Sequence, residues 1–514
     1  MIWDLHTLLM VDANLLDTHD NVSLIREEAF KHDKPLFDYT DKRMTFGVEA
    51  TDIQFCLLDK VDGVFRLWYV AWGIKNKGEK YGPGGGAHFI GYAESKDGLN
   101  FKPVNVNHVE FKGSKRNNIV NYAVPEDPTA TMGGMMVDPL DKEFRYKCIY
   151  YRPATAAQME PGILARRQFD PKQKFRFVWG IGKSKDGLTW IPPQNKENLV
   201  NANPEGAELS RTMDGAYLIS DQMTSSVQEN AGREVKGWIS YDGVTSHRVP
   251  GWVFDLPQHM TRIYPEFSGV ASSIQFNNAK WVQPHIGLRC ARKGPTMLAL
   301  HGYLYYPPYI ETFAQTADIG LSVSSTGVAF REVWPMRPFI PKGARGSWDY
   351  GMVAQGQIVD EGDQTRFYLT GNDLGNLGGH YRIGMAYIDR DRYGYYMIRG
   401  HRDTAKKARQ ATITLKPVEL PDKAALAINV SHLTKGGAVQ LQVADENGKP
   451  IRGFAFKDCK PVKAEGLRKK INWTSGKTLG KLVGRKVKIS AKLTHPNCGF
   501  VAEDSPRLYA VYLK

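Results

Sequence analysis

The feature that most constrains the fold is a short motif that recurs along the chain. The segment Glu94–Phe101 (ESKDGLNF) returns as Lys183–Trp190 (KSKDGLTW), and weaker copies lie at Ile239–Gly243, Val323–Phe330 and Met385–Gly394. An Asp-Gly pair tolerates the positive φ of a tight turn, and the aromatic residue after it begins the next strand. Five such turns in phase predict five copies of one structural unit.

Each turn follows an aromatic-rich stretch that is typical of a strand, and a turn and another strand-like stretch come before it. The aromatic stretches are Val64–Trp72, Phe144–Tyr151, Ala216–Ser220, Met297–Tyr306 and Arg366–Thr370. The unit therefore has about four strands, and four-stranded sheets repeated radially form a β-propeller. A solenoid is the alternative, but its repeats are shorter and more regular. We predict an all-β chain with a five-bladed β-propeller over residues 41–400.

The C-terminal part of the chain has a different residue pattern. From Ala411 aromatic residues thin out, alternating strands appear at Ala424–Val430 and Ala438–Val443, and a hairpin turn follows at Asp445–Gly448. This rhythm predicts a small β-sandwich over residues 411–514, after a linker at His401–Gln410. The first 40 residues are expected to pack on the propeller or to close its last blade.

Charge and hydropathy limit the classes of partner. The chain holds no run of eighteen apolar residues, which argues against a membrane span. Its net charge is +14, which suits nucleic acid, an acidic membrane or an anionic substrate. The basic residues are spread along the chain, and no recognition helix or RNA-binding aromatic signature accompanies them. We expect either simple solubility or attraction of a sulfated or uronate-bearing glycan, and we leave the oligomeric state open.

The cysteines and the N-terminus bear on compartment. Five scattered cysteines form no C-x-x-C pair and no zinc cluster. Cys56, Cys148 and Cys290 lie in apolar strand-like runs and are predicted to be buried free thiols, while Cys459 and Cys498 could pair. The first residues lack the pattern of a signal peptide. The protein is therefore expected in the cytoplasm, or in the periplasm or outside the cell if a signal has been removed.

Polar residues at the starts of the innermost strands of a propeller converge on one funnel. A glycosidase needs two carboxylates there, one protonated and one ionised. The catalytic candidates are Asp52 in blade 1, Asp127 in blade 2, and Glu205 and Glu208 in blade 3. The candidates for substrate binding are Glu49, His88, Arg211, His285, Arg289, Trp348, Asp349, Gln355 and His380. Solvated or capping carboxylates and packed histidines are the alternative reading of each.

With these residues in place, the chain resembles the clan of five-bladed glycosidases that includes glycoside hydrolase families 32, 43, 68 and 117. More closely, it resembles bacterial proteins labelled "glycoside hydrolase family 32-like". The resemblance rests on the repeats, the tail sandwich and the segments Phe111–Asn118, Phe144–Lys147, Gly346–Met352 and Gly453–Cys459. It implies that Asp52 is nucleophile or base, that Asp127 orients the acid, and that Glu208 or Glu205 is the acid. The chain departs from the family 32 pattern because Glu126, not Arg, precedes Asp127, which puts fructan or sucrose in doubt as substrate.

The leading hypothesis is an exo-acting glycoside hydrolase that releases a terminal sugar from an anionic or modified, for example sulfated, oligosaccharide. Long connections between strands favour a closed pocket and hence the exo mode. A non-catalytic carbohydrate-binding propeller is one alternative. A phosphorylase in which His285, Arg289 and Arg292 hold phosphate is another. No cofactor is required by this chemistry, and a structural divalent cation on the propeller axis is an open expectation.

Overall fold

A computed structural model describes most of the chain. The described residues are 3–38, 52–72, 88–111, 113–123, 131–153, 177–193, 207–224, 233–250, 253–254, 282–305, 316–335, 337–375, 379–399, 410–422, 424–496 and 504–513. Within these ranges the regular structure is 32 β-strands and three 3₁₀ helices, with no α-helix. The all-β class predicted from the sequence is confirmed for this part of the chain. No helix among these residues is long and apolar enough to cross a membrane.

Five antiparallel groups of strands follow one another along the chain and are called repeats 1 to 5; a parallel bridge of Ala317 with Met352 joins repeats 4 and 5 into one sheet. Repeat 1 holds β6 (Asp52–Val61), β7 (Val64–Trp72), β8 (His88–Ser95), β9 (Lys102–Pro103) and β10 (Ile119–Ala123). Repeat 2 holds β11 (Thr131–Val137), β12 (Tyr146–Pro153) and β13 (Phe177–Ser184). Repeat 3 holds β14 (Glu208–Arg211), β15 (Tyr217–Thr224), β16 (Arg233–Ser240) and β17 (His247–Arg248). Repeat 4 holds β18 (Val282–Lys293), β19 (Thr296–Tyr305), β20 (Thr316–Ser324) and β21 (Arg331–Glu332), and repeat 5 holds β22 (Met352–Glu361), β23 (Gln364–Asn372) and β24 (Tyr381–Asp389).

The repeated motif forms the turn after the third strand of a repeat. In repeat 1, Ser95 Oγ accepts a hydrogen bond from the Gly98 backbone N–H, and Asp97 accepts from the backbone N–H of Leu99 and Asn100. The same bonds recur around Asp186 and Asp242. The turn glycines have φ between 73° and 77°, a region in which glycine has no Cβ to clash. The predicted positive-φ turns are confirmed in repeats 1 to 4, whereas the glycine of the fifth copy, Gly394, begins strand β25.

The first strands of the five repeats (β6, β11, β14, β18 and β22) lie against one another in cyclic order, and β22 returns to β6. A separate hydrophobic cluster fills each of the five junctions between consecutive repeats. The junction of repeats 5 and 1, for example, holds Phe55 and Phe89 against Tyr368 and Met385. Each sheet therefore buries both faces against its two neighbours, which explains why its strands are apolar on both sides.

The N-terminal residues form five short strands that reach several parts of the molecule. They are β1 (Trp3–Asp4), β2 (Thr7–Leu9), β3 (Leu16–Asp20), β4 (Val22–Arg26) and β5 (Phe30–Lys31). β1 pairs with β18 of repeat 4, and β5 adds an outer strand to repeat 5 beside β24. β2, β3 and β4 instead join the C-terminal sheets. The expected packing of this segment on the repeats thus accounts for only two of its strands.

The C-terminal module consists of two sheets with one shared core. Its own strands are β25 (Gly394–Ile398), β26 (Gln410–Leu415), β27 (Val418–Glu419), β28 (Leu426–Ser431), β29 (Ala438–Ala444), β30 (Gly466–Lys470), β31 (Lys486–Thr494) and β32 (Arg507–Leu513). The first sheet has the order β30-β28-β32-β25-β4 and the second the order β27-β31-β26-β3, with β29 also on β31. β25 lies before the linker predicted from the sequence, of which residues 401–409 lie outside the described residues.

Ion pairs and hydrogen bonds join consecutive repeats where the first strands end, which we call the finish end. Asp59 binds Arg145 and Asp138 binds Arg211, with shortest N–O distances of 2.8 and 2.6 Å. Lys60 binds Glu361 at 2.8 Å, Lys293 binds Asp360, and Arg292 donates to the Met213 carbonyl. Because these contacts join the C-terminal ends of neighbouring first strands, the five strands run in the same direction. Their beginnings therefore meet at the opposite, start end.

Candidate active site

Glu208 is the first residue of β14 and lies at the start end with only 2% of its surface exposed. Two glycines of neighbouring repeats allow this position. A Cβ on Gly287 would lie 2.4 Å from the Ser220 carbonyl and 3.0 Å from Glu208 Cβ. A Cβ on Gly134 would lie 2.5 Å from the Ala207 carbonyl, and Gly134 has a φ of 52°. Close approach of three backbones thus holds the Glu208 carboxyl inside the molecule.

The Glu208 carboxylate faces a cation from repeat 4. Arg289 Nε lies 2.9 Å from Glu208 Oε1, and both side chains are at most 10% exposed. The Arg289 guanidinium also donates to the Cys56 carbonyl of repeat 1 and lies 5.3 Å from the centre of the Phe55 ring. Arg289 of repeat 4 therefore contacts both repeat 1, through the Cys56 carbonyl, and repeat 3, through Glu208.

A β-bulge makes the Cys56 carbonyl available. The pairing of β6 with β7 shifts between Phe55 and Leu57, which leaves Cys56 outside the ladder. Similar shifts interrupt β11, β18 and β22. Burial raises the pKa of the Cys56 thiol to about 11, so this residue contributes its carbonyl and is no thiolate nucleophile. Cys56, Cys148 and Cys290 are buried free thiols as predicted; Cys459 is one too, and Cys498 lies outside the described residues.

The electrostatics of Glu208 suit an acid. Burial raises its pKa above the ordinary value, and the positive charge of Arg289 opposes that rise only in part. Its second oxygen, Oε2, is buried and has no hydrogen-bond partner in the described part of the chain. A buried polar atom without a partner is costly. This oxygen is thus the one that a bound hydroxyl or glycosidic oxygen could satisfy.

Four other predicted residues lie at the start end. Asp52 begins β6, and its Oδ1 accepts a hydrogen bond of 3.1 Å from the Tyr381 backbone N–H. His88 begins β8, His285 is a buried residue near the start of β18, and His380 is exposed just before β24. The strand starts therefore bring these residues to the same end of the repeats as Glu208.

Arg211 lies at the other end of β14. Arg211 is three positions after Glu208 in the strand, so the two Cα atoms are about 10 Å apart. Its guanidinium makes two bonds to Asp138, one to the Gly215 carbonyl, and lies 3.5 Å from the centre of the Tyr217 ring. These contacts assign Arg211 to the junction of repeats 2 and 3, and we do not include it in the candidate site.

Trp348 and Asp349 precede β22 and are used in packing. Trp348 covers Gly371 and Gly384, where an added Cβ would lie about 2 Å from the indole. Asp349 is buried and accepts a 2.6 Å hydrogen bond from Lys31 and a 2.8 Å bond from Ser347. Both residues hold the N-terminal segment and the loop before β22 on repeat 5.

Gln355 occupies the bulge of β22 with a φ of 50°, a region that is strained for a non-glycine residue. Its Oε1 accepts a 3.4 Å hydrogen bond from Thr370, whose hydroxyl accepts from the Phe55 backbone N–H at 2.9 Å. Gln355 thus lies beside the segment of β6 that Arg289 contacts.

The remaining predicted residues, Glu49, Asp127 and Glu205, lie outside the described residues. The described part of the chain holds no group of three or more His, Cys, Asp and Glu side chains placed to bind a metal ion. The axial cation considered from the sequence remains untested. Sequence reasoning missed Gly287 and the bulge at Cys56, although a glycine inside a strand pattern is a signal of a bulge or close backbone approach.

Repeat 4 contains a second polar group that could be mistaken for a catalytic triad. Ser322 Oγ lies 2.7 Å from His301 Nδ1, and His301 Nε2 lies 3.3 Å from Glu332 Oε1. All three side chains are buried, and the Phe254 ring packs on His301 with a centroid distance of 4.3 Å. Because no substrate reaches this serine, the group stabilises the inside of the sheet.

The sequence matches no protein-family model and no curated protein. Solved structures that it is similar to include one described as a glycoside hydrolase, with 11% identity, a TM-score of 0.44, and coverage of 71% of this chain and 92% of that one. A glycosyl hydrolase from Bacteroides ovatus has 12% identity, a TM-score of 0.41, and coverage of 76% and 95%. A β-1,2-mannobiose phosphorylase from Listeria innocua has 12% identity, a TM-score of 0.41, and coverage of 70% and 96%. Similarity at this level does not assign a function.

Proposed function

We propose that the chain is a carbohydrate-active enzyme, an exo-acting glycoside hydrolase built on a five-bladed β-propeller with a C-terminal β-sandwich. The cyclic contacts of the first strands and the five separate junction cores support the propeller. The shared core of the two C-terminal sheets supports the sandwich. In such an architecture the start ends of the five first strands surround a single funnel, and Glu208, Asp52 and His285 belong to these ends.

We assign the general acid to Glu208. The observation that carries this assignment is the buried carboxyl with a raised pKa and an unbonded Oε2. A protonated carboxyl is what a glycosidic oxygen needs to leave as a hydroxyl. Glu205, the alternative acid in the same segment, stays a proposal that only substitution can test.

Asp52 is proposed as the second carboxylate, which activates water or attacks the sugar. It belongs to repeat 1, across the ring of first strands from Glu208, and its Oδ1 is held by the Tyr381 backbone N–H. Asp127 is proposed to orient the acid. The stereochemical outcome distinguishes the two roles of Asp52, since attack by water inverts the anomeric centre and attack by the carboxylate retains it.

A phosphorylase is the second candidate, and the contacts of its proposed cations weaken it. Arg292 lies near the finish end, where it contacts the Met213 and Gly294 carbonyls and the Trp3 ring. Arg289 is already paired with Glu208. Of the three proposed phosphate ligands, Arg292 therefore lies at the end opposite Glu208, and Arg289 is bound to Glu208 itself.

The test is a screen of purified protein against neutral, sulfated and uronate-containing oligosaccharides, read by release of reducing sugar, with and without inorganic phosphate. We expect release of a terminal monosaccharide without phosphate by the wild type. Glu208→Gln should abolish it, because Gln keeps the shape of Glu but has no proton to transfer.

Two outcomes would contradict the proposal. Release of a sugar phosphate that depends on added phosphate would indicate a phosphorylase. Binding of an oligosaccharide without turnover, unchanged by Glu208→Gln, would indicate a non-catalytic binding protein. The proton NMR spectrum of the first product formed gives its anomer and decides between the two roles of Asp52.

A further inference from the structure

The net positive charge of the protein is concentrated in its C-terminal module, although basic residues occur along the whole chain. Residues 411–514 hold 19 Lys and Arg against 8 Asp and Glu, whereas the other 410 residues hold 49 against 46. The module thus carries +11 of the net charge of +14. The repeats, which contain the candidate active site, are nearly neutral.

Few of these cations are neutralised within the molecule. In the described part of the module, Lys435 pairs with Asp504 and Lys488 pairs with Asp17, and no other Lys or Arg there lies within ion-pair distance of a carboxylate. A charge excess of this size in about one fifth of the chain exceeds what solubility of the whole protein requires. It produces a local positive potential that attracts polyanions.

Part of the excess is gathered on two loops that pack on each other. Residues 449–463 and 472–478 are joined by the β-bridge of Cys459 with Trp473, and the Lys460 backbone N–H donates to the Asn472 carbonyl at 2.8 Å. The two loops hold six Lys and Arg and a single acid, Asp458. The Asp458 carboxylate accepts from the Ala455 backbone N–H at 3.1 Å, so it serves the loop itself.

Five cations on and beside these loops form what we call the basic face: Arg452, Lys457, Lys460, Lys477 and Lys492. Lys477 Nζ donates to the Arg452 carbonyl at 3.2 Å, which brings one cation of each loop together. Lys492 Nζ of β31 lies 5.0 Å from the centre of the Phe456 ring, and Phe456 directly precedes Lys457 in the chain. All five except Lys492 are exposed.

The composition of this face argues against single-stranded nucleic acid and against a membrane surface as its ligand. None of the exposed large apolar or aromatic side chains in the described structure belongs to the module. Stacking on single-stranded nucleic acid needs exposed aromatic rings, and insertion into a membrane surface needs exposed apolar side chains. The module also uses 15 Lys against 4 Arg, and Lys is a point charge rather than the planar, bidentate donor common in nucleic-acid recognition.

We propose that the basic face binds an anionic polysaccharide, one that carries sulfate esters or uronate carboxylates, and so holds the repeats on their substrate. The choice of polysaccharide over other polyanions rests on the proposed function; the existence of a polyanion site does not. The sandwich then recognises charge, while the site around Glu208 performs the reaction.

The test measures binding of the full-length protein to immobilised dextran sulfate, polygalacturonate and unsubstituted dextran. The test variant is Arg452→Gln, Lys457→Gln, Lys460→Gln and Lys477→Gln together. The matched control removes four exposed cations of repeat 1 by Lys96→Gln, Lys102→Gln, Lys115→Gln and Arg116→Gln. Both variants have the same net charge, so only the position of the lost charges differs.

We expect wild type to bind the two anionic polymers and not dextran, with affinity that falls steeply between about 0.05 and 0.5 M salt because such attraction is screened. The test variant should bind at least about tenfold more weakly, because each lost cation removes one attraction, while the control stays within about twofold. Lys457→Arg, Lys460→Arg and Lys477→Arg together should retain binding, which excludes a folding defect. Comparison of dextran sulfate with polygalacturonate shows whether sulfate or carboxylate is preferred.

Three results would overturn the proposal: equal losses in the test variant and the control, equal binding to dextran and dextran sulfate, or tighter binding to single-stranded DNA or to phosphatidylserine vesicles than to either anionic polymer. The Glu208→Gln variant separates this proposal from the previous one. It should bind dextran sulfate like wild type even though it releases no sugar, so loss of one property does not imply loss of the other.

Discussion

The two ends of the five first strands use charged residues in different ways. At the finish end, charged side chains join repeats 1 and 2, 2 and 3, 4 and 5, and 5 and 1, and each carboxylate there has a cation. At the start end, Glu208 has a cation on one oxygen only, and burial raises its pKa. The finish end stabilises the ring of repeats, and the start end keeps a carboxyl that the fold alone does not need.

The difference between the two ends indicates which buried carboxyls to consider for catalysis. Asp138 and Glu208 are both buried and both paired with Arg. Burial alone would raise the pKa of Asp138, but hydrogen bonds from Arg211 and from the Leu140 backbone N–H, together with the positive charges of Arg211 and Lys147, hold it below its usual value. For Glu208 burial outweighs Arg289. A saturated carboxylate remains ionised and structural, whereas an undersaturated one can hold and transfer a proton.

The largest expected effect is that of Glu208→Gln on turnover. We expect kcat/KM on the oligosaccharide found in the screen to fall by about 10²- to 10⁴-fold, the contribution typical of a general acid. The melting temperature should change by only a few degrees, because Gln fits the same space and can still accept from Arg289. Unchanged kcat/KM would mean that Glu208 is not the acid. The carboxyls of the two ends would then not differ in function.

The next effect is on stability and concerns Lys293 at the finish end. This fully buried ammonium binds Asp360 and lies 2.7 Å from Asp391, and Tyr512 of the C-terminal module donates to Asp391 at 3.0 Å. Lys293→Met should lower the free energy of unfolding in urea by about 3 kcal/mol, the lower end of the range for breaking a buried ion pair, because Arg390 still lies 3.1 Å from Asp360 and 4.0 Å from Asp391. Lys60→Met, which breaks the more exposed pair with Glu361, is the matched control and should cost at most about 1 kcal/mol. Equal costs would mean that the buried network does not hold the repeats and the module together.

A smaller effect is expected for Arg211→Met. Asp138 would keep the Tyr217 hydroxyl at 3.0 Å and Lys147 at 3.6 Å, so the cost should be about 2–3 kcal/mol, the range for hydrogen bonds to charged groups. The kcat and KM of the folded protein should stay within about twofold of wild type, because its contacts place Arg211 away from the start end. A large rise in KM with unchanged stability would instead restore Arg211 as a binding residue.

Much of the fold could be predicted because its signals are local. The Ser-x-Asp-Gly turns encode their own hydrogen bonds, so Asp97, Asp186 and Asp242 mark the same point in three repeats. The buried cysteines follow from apolar strands. The partition of the N-terminal strands could not be predicted, because β3 and β4 pair with β26 and β25, which lie far away in the chain.

The candidate site was predictable in its residue types and only partly in its geometry. Glu208 and Arg289 were both candidates, but their pairing depends on interruptions of β18 and β6 that period-2 patterns do not reveal. Arg211 and Asp349 were expected in the funnel because they lie just upstream of aromatic strands, near the predicted starts of innermost strands. Partners distant in sequence, Asp138 for the first and Lys31 for the second, determine where their side chains lie.

The smallest expected effect, and the sharpest test of the start end, is a shift in pH dependence. If Glu208 is the acid, kcat/KM falls as the pH rises through its pKa, because the proton is lost. Arg289 favours the ionised form and so lowers that pKa. Arg289→Met should therefore move the alkaline limb of the pH profile of kcat/KM upward by about one pH unit, the lower part of the range for loss of a neighbouring opposite charge. Arg289→Lys keeps the charge and should leave the limb within a few tenths of a unit of wild type. A limb that moves downward, or one that moves equally in both variants, would show that the group titrating is not the carboxyl paired with Arg289.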